Sequence, residues 1–403
     1  MTNQISRIEA VYTIAATVIG AGILALPTSM AFSGFVPGVI VLIIMGVLSV
    51  VTALYIVEVS LKTSTHYYMP GLAEYYLGKP GLFIMFASIL IFVYGALTGY
   101  LSAGGQLIHE LSDGSIPVWL GTSLYFLISS AIVYIGLRMT GFVSIILFSI
   151  MIILILAIAG LSFPYINPQL AISTNWSGMY SVFGVTLFAY AGHVVIPSLA
   201  HGMKQDKKGL IYATMLGFGG SMIIYIIWSM IFTMVVPRGS PADMVAAEKT
   251  VTLYQAQYHG QPATIPLGHL IGGSIMAIGS LFAILSTFTS YLGFGISMTD
   301  SWIDIFRYFR VNMRRWVAVL LAVVVPLILS LTNPAGFVGA ITIAGIYGGG
   351  LFAGLLPPIL VVMARKRQKN TTETFTVPGG VSLAVITFLF FASGVILKTY
   401  QVL

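Results

Sequence analysis

The chain contains no cysteine and very little charge. Zero cysteines in 403 residues exclude disulfide staples, thiol catalysis and thiolate-held metals. Charged residues make up 7% of the chain, against about 25% in soluble domains. That excludes a water-soluble globular fold, a disordered chain and a nucleic-acid-binding surface. Acidic groups are the scarcer sign, 11 against 18 basic ones, for a net charge of +7. His-x-x-x-His and paired intramembrane carboxylates are missing, and His193 and His201 fall outside usual metal-ligand spacing, so a membrane-embedded enzyme is disfavoured. No repeated carbonyl-filter motif or ring-forming charge pattern suggests a channel. No secretory signal is expected, because the first apolar run, after Arg7 and Glu9, is too long and continues into a second.

What the chain has is long apolar stretches, 58% hydrophobic residues in all. They lie near 10–33, 36–61, 81–110, 118–136, 141–163, 178–200, 209–236, 265–295, 316–332, 335–363 and 379–400. A hydrocarbon core about 30 Å thick is crossed by about 20 residues of helix. In lipid every backbone polar group must be paired within the structure, so these runs are helices. The 43 glycines and 17 prolines suit membrane helices better than soluble ones.

Eleven spans make the loops alternate sides. One set of loops and ends carries fifteen basic residues, from Arg7 through Lys62, Arg138 and the runs around 204–208, 307–315 and 365–369; the other carries Arg238, Lys249 and Lys398. This asymmetry places the N-terminus in the cytoplasm and the C-terminus outside, in a cell (inner) membrane. The 365–369 run is read as a topological anchor. Two longer connections stand out. The cytoplasmic 62–80, with Tyr67, Tyr68, Tyr75 and Tyr76 around Glu74, suits an amphipathic interfacial segment, and the external 237–264 is long and polar enough for a lid.

Two spans carry matching helix breakers. The first contains Gly20, Gly22 and Pro27; the sixth contains Gly192 and Pro197, and each glycine–proline pair is offset by 170 residues from the other. Glycine weakens a helix, and proline removes an amide and clashes one turn back. With five spans from each break to the next, the two broken helices run in opposed directions. That is the arrangement of an inverted repeat whose discontinuous first helices mark a transporter's binding site. Residues about 8–163 form the first repeat, about 178–363 the second, and 379–400 an extra helix, within one transmembrane domain spanning 1–403. Amides at Gly20, Ala21 and Gly22 make a positive helix end for a carboxylate, and carbonyls around Phe188 to Tyr190 make a negative end for an ammonium. Both ends together suit a zwitterion, an amino acid.

Ile19-Gly-Ala-Gly-Ile-Leu-Ala-Leu-Pro27, with Gly34-Phe35 and Glu58-Val59, resembles the opening of the amino acid/auxin permease family, and within it the tryptophan/tyrosine permease branch of the APC superfamily. Gly99 to Gly105, Phe188 to His193, and Thr289 to Gly293 with Asp300 agree with it. The resemblance implies an all-α, LeuT-like five-plus-five inverted repeat with an eleventh helix, and ion-coupled import of a neutral amino acid, aromatic or small, by alternating access. No organic cofactor is implied; the partners are the amino acid and the lipid bilayer. Carried over, it puts the substrate backbone against Thr17, Ile19, Gly20, Ala21, Gly22 and Ile23, and against Phe188, Ala189, Tyr190, Ala191 and Gly192. Tyr94 and Thr98, one turn apart in span 3, join Phe188 and Tyr190 in lining the side-chain pocket.

Two coupling ions remain open. Ser286, Thr289 and Ser290 share one face of span 8; with the carbonyls of Ala15 and Val18 they could cage a sodium ion. Hydroxyls in membrane helices also bond back to their own carbonyls. The rival is a proton, for which His193 has a suitable ordinary pKa and Glu58 lies at the cytoplasmic end of span 2. Glu58 is one turn from Lys62, which favours snorkelling to the interface. The proton is slightly favoured. A sensor that binds an amino acid without moving it also remains open.

Overall fold

The structure, a computed structural model, describes residues 5–63, 67–112, 114–203, 206–240, 242, 250–258, 261–332, 341, 344–367 and 375–402. Lys204, Lys249 and Lys369 of the charge asymmetry, and most of 241–249 in the 237–264 connection, lie outside the described residues. Among the described residues every regular element is helical.

The first span is two helices, α1 (Arg7–Val18) and α2 (Ala21–Ser29), meeting at 45°. A capping box starts α1: the Glu9 amide donates to Ser6 Oγ and the Ser6 amide to the Glu9 carboxylate. Spans 2 to 5 are α3 (Phe35–Leu61), α4 (Met69–Leu111), α5 (Val118–Ile135) and α6 (Leu137–Ser162). A short α7 (Gln169–Ile172) precedes span 6, which is again divided, into α8 (Met179–Ala189) and α9 (Ile196–Gly202) around a tight 3-10 turn, Gly192–Val195. Span 7 is α10 (Lys207–Val235). Two short helices, α11 (Leu253–Tyr258) and α12 (Thr264–Ile271), precede span 8, α13 (Gly273–Tyr308), and span 9, α14 (Arg315–Thr332). Span 10 winds as a π-helix over Ala344–Leu355 and continues as α15 (Leu356–Arg367); span 11 is α16 (Gly380–Val402). Ten described helices are long and apolar enough to cross a membrane, and the bent α1–α2 pair makes eleven, the number expected.

Two boundaries differ from the hydropathy reading. The run at 265–295 is split at Gly272, whose φ of 125° ends α12, and α13 then continues to Tyr308. This extension carries Asp300 and Asp304 into the protein as a buried pair one turn apart, so paired carboxylates exist where none was expected. Their partners explain why the helix does not stop: Asp300 accepts from Ser198 Oγ at 2.6 Å, and Asp304 accepts the amides of Tyr68 and Gly71 at 2.9 and 2.7 Å. From Met69 onward the expected 62–80 connection is the foot of α4, turned by Gly78 at φ 72°, a left-handed conformation that glycine adopts without a Cβ penalty. Rings of Tyr67, Tyr75 and Tyr76 pack on one another there.

Glu58 does not snorkel. Its side chain is 0% exposed, 2.7 Å from Arg365 and 2.9 Å from Lys62, and it accepts the Val377 amide at 2.8 Å. Arg365, far along the chain on α15, converts what looked like an interfacial carboxylate into a buried clamp between α3, α15 and Val377, just ahead of the last span.

The broken spans sit at the centre. The apolar window of Trp176–Gly202 is 94% buried inside the protein, against 22% for Leu137–Tyr165 and 17% for Gly380–Leu397. The long α13 packs against α1, α4, α5, α6 and α14, so one helix touches both the first break and the aromatic face of span 3.

Candidate substrate-binding site

At the first break the α1 ladder ends with the Ile19 amide donating to Ala15 O at 2.8 Å. The Gly20 amide turns back to Val18 O at 2.9 Å, and α2 resumes with the Ile23 amide on Gly20 O at 3.1 Å. The Ala21 and Gly22 amides open α2 and stand outside its intrahelical ladder. On the other side of the break, Ala16 O and Thr17 O lose the amides one turn ahead and accept instead from Ser290 Oγ at 3.1 and 2.8 Å. Ala15 O, expected as an ion ligand, is taken by the Ile19 amide; the carbonyls freed toward α13 are those of Ala16 and Thr17.

At the second break the Tyr190 amide closes on Thr186 O at 3.0 Å and the Ala191 amide on Phe188 O at 3.3 Å. The two breaks are in contact. A Cβ on Gly22 would lie 2.6 Å from Ala189 Cα, and one on Gly192 would lie 2.4 Å from Val18 Cγ2. These are close approaches that only glycine permits. The Tyr225 hydroxyl, from α10, lies 2.6 Å from Val18 O and 3.0 Å from Ala189 O, one carbonyl from each broken span.

Thr17, Ile19, Gly20, Ala21, Gly22 and Ile23 are buried at the first break, and Phe188, Ala189, Tyr190, Ala191 and Gly192 at the second. Thr17 Oγ1 donates to Thr13 O at 2.7 Å. Tyr190 donates to Leu42 O of α3 at 3.3 Å. Phe188 faces a cluster of rings: Phe92 at 5.3 Å and Tyr100 at 6.4 Å, with Phe294 5.1 Å from Phe92 and 6.2 Å from Tyr100. Thr98 is buried with no hydrogen-bond partner for its hydroxyl. Tyr94 is not brought to the breaks; its hydroxyl donates to Leu321 O of α14 at 2.6 Å. The tyrosine of span 3 that does reach them is Tyr100, whose hydroxyl would lie 3.0 Å from a Cβ on Gly20. Tyr100, Tyr225, Phe92 and Phe294 were missed. Tyr100 alone had a local signal, its place inside the small-residue motif of residues 99–105.

Ser286 and Thr289 bond back within α13, to Ala283 O and Ser286 O, both at 3.1 Å, and Thr289 Oγ1 also lies 3.9 Å from Met151 Sδ. His193 is 1% exposed and its Nε2 is 2.7 Å from Thr52 Oγ1. At the N-terminal end of α1, Arg7 Nε donates to Asp206 at 2.8 Å, and the Ile5 amide to Gly202 O at 2.8 Å. The Arg7 guanidinium, helped by the Gly209 amide, holds the Asp206 carboxyl below the ordinary carboxylate range.

Comparison with known proteins decides which transporter group this arrangement falls in. A sequence model described as the tryptophan/tyrosine permease family matches residues 3–398. The chain belongs to that family. It is similar to the tyrosine-specific transport system 1 of Haemophilus influenzae, 28% identical over 364 residues, covering 89% of this chain and 88% of that protein. It is 24% identical over 393 residues to the tryptophan-specific transport protein of the same organism, covering 94% and 91%. With the low affinity tryptophan permease of Escherichia coli K12 it shares 25% over 423 residues, covering 97% and 95%. Among solved structures, the fold matches an Eremococcus coleocola manganese transporter, crystallised with an aromatic bis-isothiourea substituted compound, at TM-score 0.64 and 12% identity, covering 98% of this chain and 86% of that one. This permease is therefore a multi-pass membrane transporter of the amino-acid kind with a LeuT-like fold, and not an enzyme.

Proposed function

We propose that this permease imports an aromatic L-amino acid across the inner membrane, with its N-terminus in the cytoplasm, by proton-coupled symport and alternating access. The observation that carries the reading is the contact between two opposed broken helices. Unladdered amides at Ala21 and Gly22 stand beside the carbonyl end of α8 at Ala189, with the rings of Phe92, Tyr100, Phe188 and Phe294 alongside. The helix start suits a carboxylate, the helix end an ammonium, and the rings an aromatic side chain. The names of the relatives favour tyrosine or tryptophan over a small substrate.

Proton coupling rests on His193, because the hydroxyls of α13 discriminate neither ion: Ser286, Thr289 and Ser290 each donate to a main-chain carbonyl and keep their lone pairs. His193 offers a proton acceptor. Its Nε2 lies 2.7 Å from Thr52 Oγ1, and the ring can exchange a proton through either nitrogen. One charge moving down about 100 mV releases about 2.3 kcal/mol, enough for a concentration ratio of roughly fifty.

The test is uptake of labelled tyrosine and tryptophan into proteoliposomes, acid outside, with and without sodium. Accumulation that collapses with a protonophore and is indifferent to sodium is expected. Accumulation that requires sodium would replace the coupling ion, and binding without accumulation under either gradient would refute transport.

A further inference from the structure

One side chain bridges the two breaks. Tyr225 is 0% exposed, its ring lies 5.2 Å from that of Tyr190, and its hydroxyl reaches Val18 O at 2.6 Å and Ala189 O at 3.0 Å. Val18 ends the inner half of span 1, and Ala189 ends the outer half of span 6. Both lie at the interruptions, where the helix ladder is broken: Val18 O keeps only the tight turn from the Gly20 amide at 2.9 Å, and an unpaired carbonyl in a membrane interior is costly. With Gly22 packed against Ala189, no side chain separates the two breaks here.

A phenol has one hydrogen, which must serve one carbonyl or be shared between two, whereas an ammonium has three and carries charge. Hydrogen bonds from a charged donor are roughly twice as strong as neutral ones. We propose that the Tyr225 hydroxyl is an internal stand-in for the substrate ammonium: it pairs Val18 O and Ala189 O when the carrier is empty and yields them when an amino acid enters. Tyr225 is a positioning residue in this scheme, and the scheme rests on the transport reading above. It gives the empty carrier a satisfied, closed centre in which to reorient. Net uptake needs that empty return step in every cycle; exchange of labelled for unlabelled substrate does not.

Tyr225→Phe keeps the ring and removes the hydrogen. In proteoliposomes, net accumulation of labelled tyrosine or tryptophan is expected to fall roughly tenfold relative to counterflow exchange, the equivalent of one buried hydrogen bond. Net uptake and exchange falling together, or both unchanged, would overturn the proposal. Parent protein that neither accumulates nor exchanges would instead refute the transport reading. A second measurement needs no substitution that alters the fold: a 13C-labelled tyrosine placed at position 225 should shift its phenol resonance on addition of tyrosine or tryptophan. It should not shift with 3-phenylpropionate, which lacks the ammonium. A resonance indifferent to the amino acids would overturn the proposal as well.

Discussion

At the scale of single residues, the site is made of main chain exposed by the absence of side chains. Gly22 illustrates it: a valine there would place its Cβ 2.6 Å from Ala189 Cα and fill the approach to the α2 amides. Gly22→Val is therefore expected to abolish binding of tyrosine and tryptophan, measured by thermal shift; a variant of parental affinity would remove this site. Ser290→Ala takes away the hydrogen that Ala16 O and Thr17 O share, and orphaned buried acceptors cost about 1–3 kcal/mol. It should lower the unfolding midpoint without introducing sodium dependence, and an unchanged midpoint would mean those carbonyls have other partners. Gly20, Gly22 and Pro27 were legible because their helix-breaking chemistry is intrinsic. Tyr94 was not. Spacing shows that residues 94 and 98 share a face, but which face meets the breaks is decided by α13 and α14, and these bring Tyr100 to Gly20 and turn Tyr94 to Leu321.

At the scale of elements, the two broken spans were foreseen from matching glycine–proline pairs, whereas their fastenings were not. Tyr225 on α10 ties both breaks, and no local pattern distinguishes it from a core tyrosine. The N-terminal end of α1 is fastened to the start of α10 by Arg7 and Asp206, partners 199 residues apart. Asp206 has its carboxyl lowered in the folded state, so its contribution is complete above the unfolded value of about 3.9 and disappears only as pH falls through the folded value. The difference in unfolding midpoint between parent and Asp206→Asn should thus be constant between about pH 5 and 8 and shrink below about pH 4. It should also be small, because Arg7 is 57% exposed and water screens the pair. A difference that grows on acidification would reverse the assignment. The eighth span shows a further reason for illegibility. Hydropathy ended it near 295, but Ser198, Tyr68 and Gly71 supply partners for Asp300 and Asp304 and let α13 run on to Tyr308.

At the scale of the whole molecule, the span count and the central place of spans 1 and 6 follow from the apolar runs and their interruptions. The closure of the periphery does not, since it depends on pairs remote in sequence. Glu58 with Arg365 and Lys62 is the main instance. Removing one partner of a buried pair costs about 3–5 kcal/mol because the other charge is stranded. Glu58→Ala should accordingly give a markedly lower unfolding midpoint, and Glu58→Ala combined with Arg365→Met a partial recovery; a single variant as stable as the parent would show that the clamp contributes nothing.

The central claim is that main-chain dipoles at two helix ends hold both charges of one small zwitterion. Its most direct measurement is thermal stabilisation of the purified permease by tyrosine compared with its two singly charged analogues, tyramine and 3-(4-hydroxyphenyl)propionate. A ligand at a hundredfold excess over its dissociation constant adds about 2.7 kcal/mol of stability. Stabilisation by tyrosine and by neither analogue is the predicted result; stabilisation by either analogue equal to that of tyrosine would contradict the account.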